Sequence, residues 1–186
     1  LPFIILFYAF QIIVWKNIDD NSYLVEYNSK MQDKVALEQY SINDLKNLIS
    51  KDTKSKVFLT INEIDNDNLY PKDDIQTRRH IENTLLLAGV IASQIELPDY
   101  DLDLLLLATL YHDIGKRGIS NHAKSSSLVA YELLKDKYED KEIKIIQAVI
   151  ESHEDSEKDL SEICNNLGLD SLDKTLMMRI EKISHC

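Results

Sequence analysis

"LYHDIGKRGISNHAKSS", residues 110–126, carries His112, Asp113, Lys116 and His122 around a helix end, and its reading decides the fold. The preceding "DYDLDLLLLATLYHDIGK" is a short, almost wholly apolar helix that Gly115 stops, so the His112–Asp113 pair sits at its exit. A new helix begins with "SNHAKSSSLVAYELLKDKY", which puts His122 at its start. Two readings follow: the residues gather around a metal ion, or they cap and surface an ordinary helical domain whose histidines never meet.

Working outward, the same helical pattern continues on both sides. Upstream, "DDIQTRRHIENTLLLAGVIASQIE" opens with acidic residues suited to a helix N-terminus, keeps apolar residues at helical spacing and ends before Pro98. Downstream, "DKEIKIIQAVIESHE", "EKDLSEICNNLG" and "SLDKTLMMRIEKIS" are amphipathic and separated by short polar turns, with Gly168 placed as a C-cap. The expected fold is mainly α: a bundle of about six helices over residues 71–186.

The five histidines, His80, His112, His122, His153 and His185, all fall in this helical part. His80 lies within the first helix, His112 ends the second, His122 begins the third and His153 ends the fourth. Helical bundles build metal sites from side chains that converge from different helices. Neutral imidazole suits Fe, Mn, Zn, Ni or Co, with Mg also open, and the two oxygens of Asp113 can bridge a pair of ions. Ions so held can polarise a phosphoryl oxygen and activate water, so no protein nucleophile is required. Lys116 can set an ammonium on a substrate phosphate. Arg78, Arg79 and Arg117 are further local cations, with a solvated helix face as the alternative. Glu154 and Asp155 read as helix-end solubilisers, and Tyr111 as core. Nothing nearby activates the serines of "KSSS" as nucleophiles, and no Gly-rich phosphate loop is present.

Residues 1–70 read differently. "LPFIILFYAFQIIVW" lacks a basic flank and a small-residue cleavage site, and Gln11 interrupts it well short of the roughly 20 apolar residues of a membrane span. Its aromatic and β-branched content fits a buried strand or strand pair. "SYLVEY" and "KVFLTINEI" are expected as further strands, with "SINDLKNLIS" a short helix N-capped by Ser41. An Asn/Asp-rich turn, "NEIDNDNLYPKDD", suits a boundary near residue 70 between this small α/β segment and the helical domain.

Composition bounds the partners. A net charge of −11 opposes broad binding to nucleic acid or to an anionic membrane, leaving a small phosphorylated molecule received by local cations. Two cysteines, Cys164 and Cys186, outside any C-x-x-C pattern, make a reducing, cytoplasmic setting the expectation.

His80, then "YHDIGK", then "NHAKSS" and "ESHE", in this order on successive helices, resemble the HD-domain superfamily of metal-dependent phosphohydrolases across residues 74–186. The resemblance implies an all-α bundle that hydrolyses phosphomonoesters or phosphodiesters, of nucleotides among others. It maps His80, His112 and Asp113 onto the core metal ligands, His122 and His153 onto the extra histidines of members with two ions, and Lys116 onto a lysine near the substrate phosphate. The family pattern closes with a late Asp, in an Ala-Asp context, whereas this chain ends "RIEKISHC", with His185 near that place. The expectation is a sequence that stops just short of the Asp. The competing expectation, favoured by the missing Asp, is a non-catalytic HD-like module that binds a nucleotide or partner protein.

Overall fold

The computed structural model describes residues 46–66, 68–116, 122–153 and 160–169, together with the backbone of four strands in the first 40 residues. The strands β1 (Phe3–Phe7), β2 (Ile12–Asn17), β3 (Ser22–Tyr27) and β4 (Ala36–Tyr40) form an antiparallel sheet in the order β1-β2-β3-β4. Register is continuous across it: Ile5 faces Val14, Val14 faces Val25, and Val25 faces Glu38. The opening apolar run thus turns back on itself as a strand pair, and "SYLVEY" supplies the third strand.

One expected strand is a helix. "KVFLTINEI" lies inside α1 (Lys51–Asn66), where Val57, Ile61 and Ile64 recur at helical spacing. Val57 and Ile64 are buried and Ile61 packs partly buried against the same core. Strand propensity in Val, Phe, Ile and Thr is a weak preference, and burial of one helical face overrides it. Within "SINDLKNLIS", residues 46–48 are helical, while the proposed Ser41 cap lies outside the described residues.

The other described helices are α2 (Ile75–Gln94), α3 (Asp99–Tyr111), α4 (His122–Leu134), α5 (Asp140–Ser152) and α6 (Leu160–Asn166). The last helix expected, "SLDKTLMMRIEKIS", lies outside the described residues. Asp74 N-caps α2 by accepting the Thr77 N–H at 3.0 Å. Glu139 and Glu142 close a capping box on α5. Gly168, at φ +70°, ends α6 in a Schellman turn, with Leu169 N–H donating to the Cys164 carbonyl at 2.7 Å and Gly168 N–H to that of Asn165 at 3.0 Å.

Helix α3 explains the architecture. Leu102, Leu104, Leu105, Leu106, Leu107 and Leu110 are all buried, so no face is left for solvent after Asp103. It packs against α1, α2, α4 and α5, the position a helix with this composition requires. Its C-terminal end therefore opens between α2, α4 and α5. Close approach of α1 and α2 is fixed by Gly89, where a Cβ would meet Val57 Cγ2 at 2.6 Å. Helix α1, ahead of the Asn/Asp-rich turn, shares one core with the helices behind it. No described helix is long and apolar enough to cross a membrane.

Candidate metal centre

The chain leaves α3 through His112, its C-cap residue, and a tight turn in which Lys116 N–H donates to the Asp113 carbonyl at 3.0 Å. Gly115 is obligatory in that turn, because a Cβ there would lie 2.5 Å from Ser126 N and 2.6 Å from Ser125 C, both backbone atoms of α4. Its own N–H donates to Ser126 Oγ at 3.0 Å. The turn and the start of α4 are thereby locked together, which carries His122 towards Asp113. Tyr70 fixes the same corner from the other side, its hydroxyl donating to the Leu110 carbonyl at 2.5 Å.

Four histidines from four helices converge on Asp113. Its Oδ1 lies 3.0 Å from His122 Nε2, while Oδ2 lies 3.6 Å from His80 Nε2 and 3.7 Å from His112 Nε2. His80 and His112 approach through their Nε2 atoms at 3.2 Å, and His122 and His153 at 3.3 Å. Edge-on contact between the His112 and His153 rings, with centroids 5.1 Å apart, joins the two pairs. The outcome is two donor groups, His80–His112–Asp113 and Asp113–His122–His153, that share one carboxylate.

Orientation of the rings is set by backbone carbonyls. His112 Nδ1–H donates to Thr109 O at 2.8 Å and His153 Nδ1–H to Ile150 O, which leaves both Nε2 lone pairs facing inward. Burial pushes the His112 imidazole down to about 4, against the opposing pull of the Asp113 charge, so the ring is neutral at pH 7. Burial works to raise the Asp113 carboxyl, but His112, Lys116 and His80 outweigh it and hold it below the usual carboxylate range. His112 therefore presents a neutral nitrogen and Asp113 an ionised carboxylate, the protonation states a divalent cation needs.

Residues 77–180, more than half of the chain, match the family model described as HD domain. The chain belongs to the HD domain family. Neither the curated proteins nor the solved structures include a significant match.

The HD domain family belongs to a superfamily of metal-dependent phosphohydrolases, and the donor set here fits divalent metal. Neighbouring donors 3.0–3.7 Å apart are spaced as adjacent ligands on an ion with bonds of about 2.0–2.2 Å. One carboxylate oxygen faces each histidine pair, as a bridging ligand would.

A cleft of about 770 Å³ opens on the His80 side, lined by Ile75, Gln76, Thr77, Arg79, His80, Asn83, Asp113 and Lys116. Lys116 Nζ lies 3.1 Å from Asp113 Oδ2 and is half exposed, so it reaches the cleft and the carboxylate together. Arg79 also faces the cleft. Arg78 does not: its guanidinium pairs with Asp65 and reaches the Tyr70 carbonyl at 3.4 Å, tying α2 to α1. The sequence expectation of a phosphate-receiving role for Arg78 is thus replaced by a structural one, since helical geometry turns it about 100° from Arg79. Arg117, Glu154, Asp155 and His185 lie outside the described residues. Tyr111 is buried core as expected.

Several contributors escaped sequence reasoning. Ser127 Oγ donates to Glu151 Oε1 at 2.8 Å and receives Gln147 Nε2 at 3.2 Å, a tie between α4 and α5 behind His122 and His153. Ser126 and Ser127 are fully buried, so "KSSS" serves packing between helices. Gln76 and Asn83 line the cleft at i−4 and i+3 from His80, a spacing that could have marked them.

Proposed function

We propose that this HD domain protein is a phosphohydrolase that cleaves a phosphomonoester or phosphodiester bond of a small phosphorylated substrate, a nucleotide being the class that best fits the cleft. The observation that carries the reading is the Asp113 carboxylate, 3 % exposed, with one oxygen turned to each histidine pair. His80, His112 and Asp113 would hold one divalent ion, and Asp113, His122 and His153 a second, drawn from Fe, Mn, Zn, Ni, Co or Mg. Bound there, such ions supply Lewis acidity to a phosphoryl oxygen and make water more acidic.

The chain's own groups do the remainder. Lys116 and Arg79 bind and orient the phosphoryl group from the open side, their charges complementing those that develop on its oxygens. The cleft is lined by α2 and by the turn that follows α3. Ser126 and Ser127, buried and engaged in hydrogen bonds, are out of reach as nucleophiles, so the attacking oxygen comes from water. No broad nucleic-acid surface or membrane partner enters this reading, since the net charge of −11 opposes polyanions, and the two cysteines outside any C-x-x-C pattern favour a cytoplasmic setting.

The test is purification without chelator, metal analysis, and assay against an aryl phosphate and a nucleotide panel. Bound metal with hydrolysis that chelator abolishes and added Mn or Fe restores is the expected outcome. Protein that binds metal but turns over no ester would refute catalysis and favour the binding-module alternative.

A further inference from the structure

The cleft has a polarity along α2 that the metal centre does not account for. Gln76, His80 and Asn83 stand at i, i+4 and i+7, so one stripe of the helix faces the space, with Arg79 beside it. Among the described residues the side chains of Gln76, Arg79 and Asn83 have no hydrogen-bond partner. Asn83 is half-buried on the inward side of His80, whereas Ile75 and Gln76 are exposed at the outward end. Ile75 is 64 % exposed, an apolar side chain at the mouth of an otherwise polar cleft.

Resting on the phosphohydrolase reading, we infer that the outer end of the cleft is a base-recognition site, in which Gln76 and Ile75 receive the base of a nucleoside monophosphate. At the inner end, Arg79, Lys116 and Asn83 surround one phosphoryl group with donors. At the outer end the chemistry changes: a primary amide offers a donor and an acceptor to the edge of a base, and the isoleucine offers apolar surface to its ring face. A sugar phosphate would leave Ile75 without a partner. A polyphosphate would carry its further charges outward to Asp73 and Asp74, which precede α2 and whose two carboxylates outnumber the one ammonium of Lys72 beside them. The cleft volume of about 770 Å³ lies within the range that small-molecule sites occupy.

Calorimetric titration of the metal-loaded protein with adenosine 5′-monophosphate, ribose 5-phosphate and adenosine 5′-triphosphate tests this without requiring turnover. The parent should bind the monophosphate more tightly than either other ligand. Gln76→Ala should weaken the monophosphate by about threefold to tenfold, the loss of one modest hydrogen bond. Ile75→Ser should shrink the advantage over ribose 5-phosphate. Both positions are exposed, so the variants should fold as the parent does, which circular dichroism checks. Equal binding of ribose 5-phosphate and the nucleotide by the parent, or unchanged nucleotide affinity in both variants, would overturn the inference. Absence of turnover with nucleotide binding retained would instead count against the phosphohydrolase reading alone.

Discussion

The Gly115 N–H donates to Ser126 Oγ at 3.0 Å across the junction between the His112–Asp113 turn and helix α4. This contact ties the turn that carries Asp113 to the helix that carries His122, the two halves of the candidate metal centre. Gly115→Ala would force a methyl to within 2.6 Å of backbone atoms, which cannot rotate aside. The expected cost is about 1–3 kcal/mol of stability, with Asp113 and His122 spread apart. Urea unfolding and metal content of the purified variant check both parts, and a variant with parental stability and metal content would contradict the packing account.

Sharing of Asp113 predicts an asymmetry among ligand variants. Asp113→Ala should lose metal from both groups, whereas His80→Ala should spare the Asp113–His122–His153 group and His153→Ala the His80–His112–Asp113 group. Metal stoichiometry by mass spectrometry separates these cases. Equal loss in all three variants would show that the groups do not act as two sites.

Metal removal should lower thermal stability. A ligand that binds only the folded chain stabilises it by about 2.7 kcal/mol at a hundredfold excess over its dissociation constant. Chelator should therefore reduce Tm by several degrees, and re-addition of metal should restore it. Differential scanning calorimetry with and without chelator measures the shift.

Tyr70→Phe removes the hydroxyl that satisfies the Leu110 carbonyl at the buried end of α3. Leaving that acceptor without a donor should cost about 1–3 kcal/mol. Burial pushes the Tyr70 hydroxyl up, so it remains a donor throughout the working pH range and the loss should not depend on pH between 5 and about 9. Chemical denaturation at several pH values provides the comparison.

The helix cap before His80 should respond to acid. Hydrogen bonds from the Thr77 side chain and N–H hold the Asp74 carboxyl below the usual carboxylate range. A carboxyl lowered in the folded state contributes stability above its unfolded value, near 3.8, and loses it as pH falls through the lower folded value. Asp74→Ala should thus destabilise at neutral pH, with the difference from the parent vanishing in strong acid. Unfolding curves across pH 2–7 would expose any other trend.

The helices were legible where burial and capping agreed with periodicity. "TLLLAGVIA", "DLLLLATL" and "IKIIQAVI" bury enough apolar surface to dictate helices in any helical packing, and Asp74, Glu139 and Gly168 punctuate them by local hydrogen bonding. "KVFLTINEI" was misread because its strand-forming residue types are a local preference. Its partners, among them Gly89, where an added Cβ would meet Val57 Cγ2 at 2.6 Å, come from a distant helix.

Residue order alone determined that His80, the His112–Asp113 pair, His122 and His153 would leave from four different helices, because helix ends are local features written in neighbouring residues. Tertiary structure alone decided that Asp113 would turn one oxygen to each histidine pair, that Arg78 would pair with Asp65 while Arg79 faces the cleft, and that Gly115 would press against Ser126. Such relationships depend on the directions of side chains from helices far apart in the chain, and these are settled only when the buried leucines of α3 have gathered their neighbours around them.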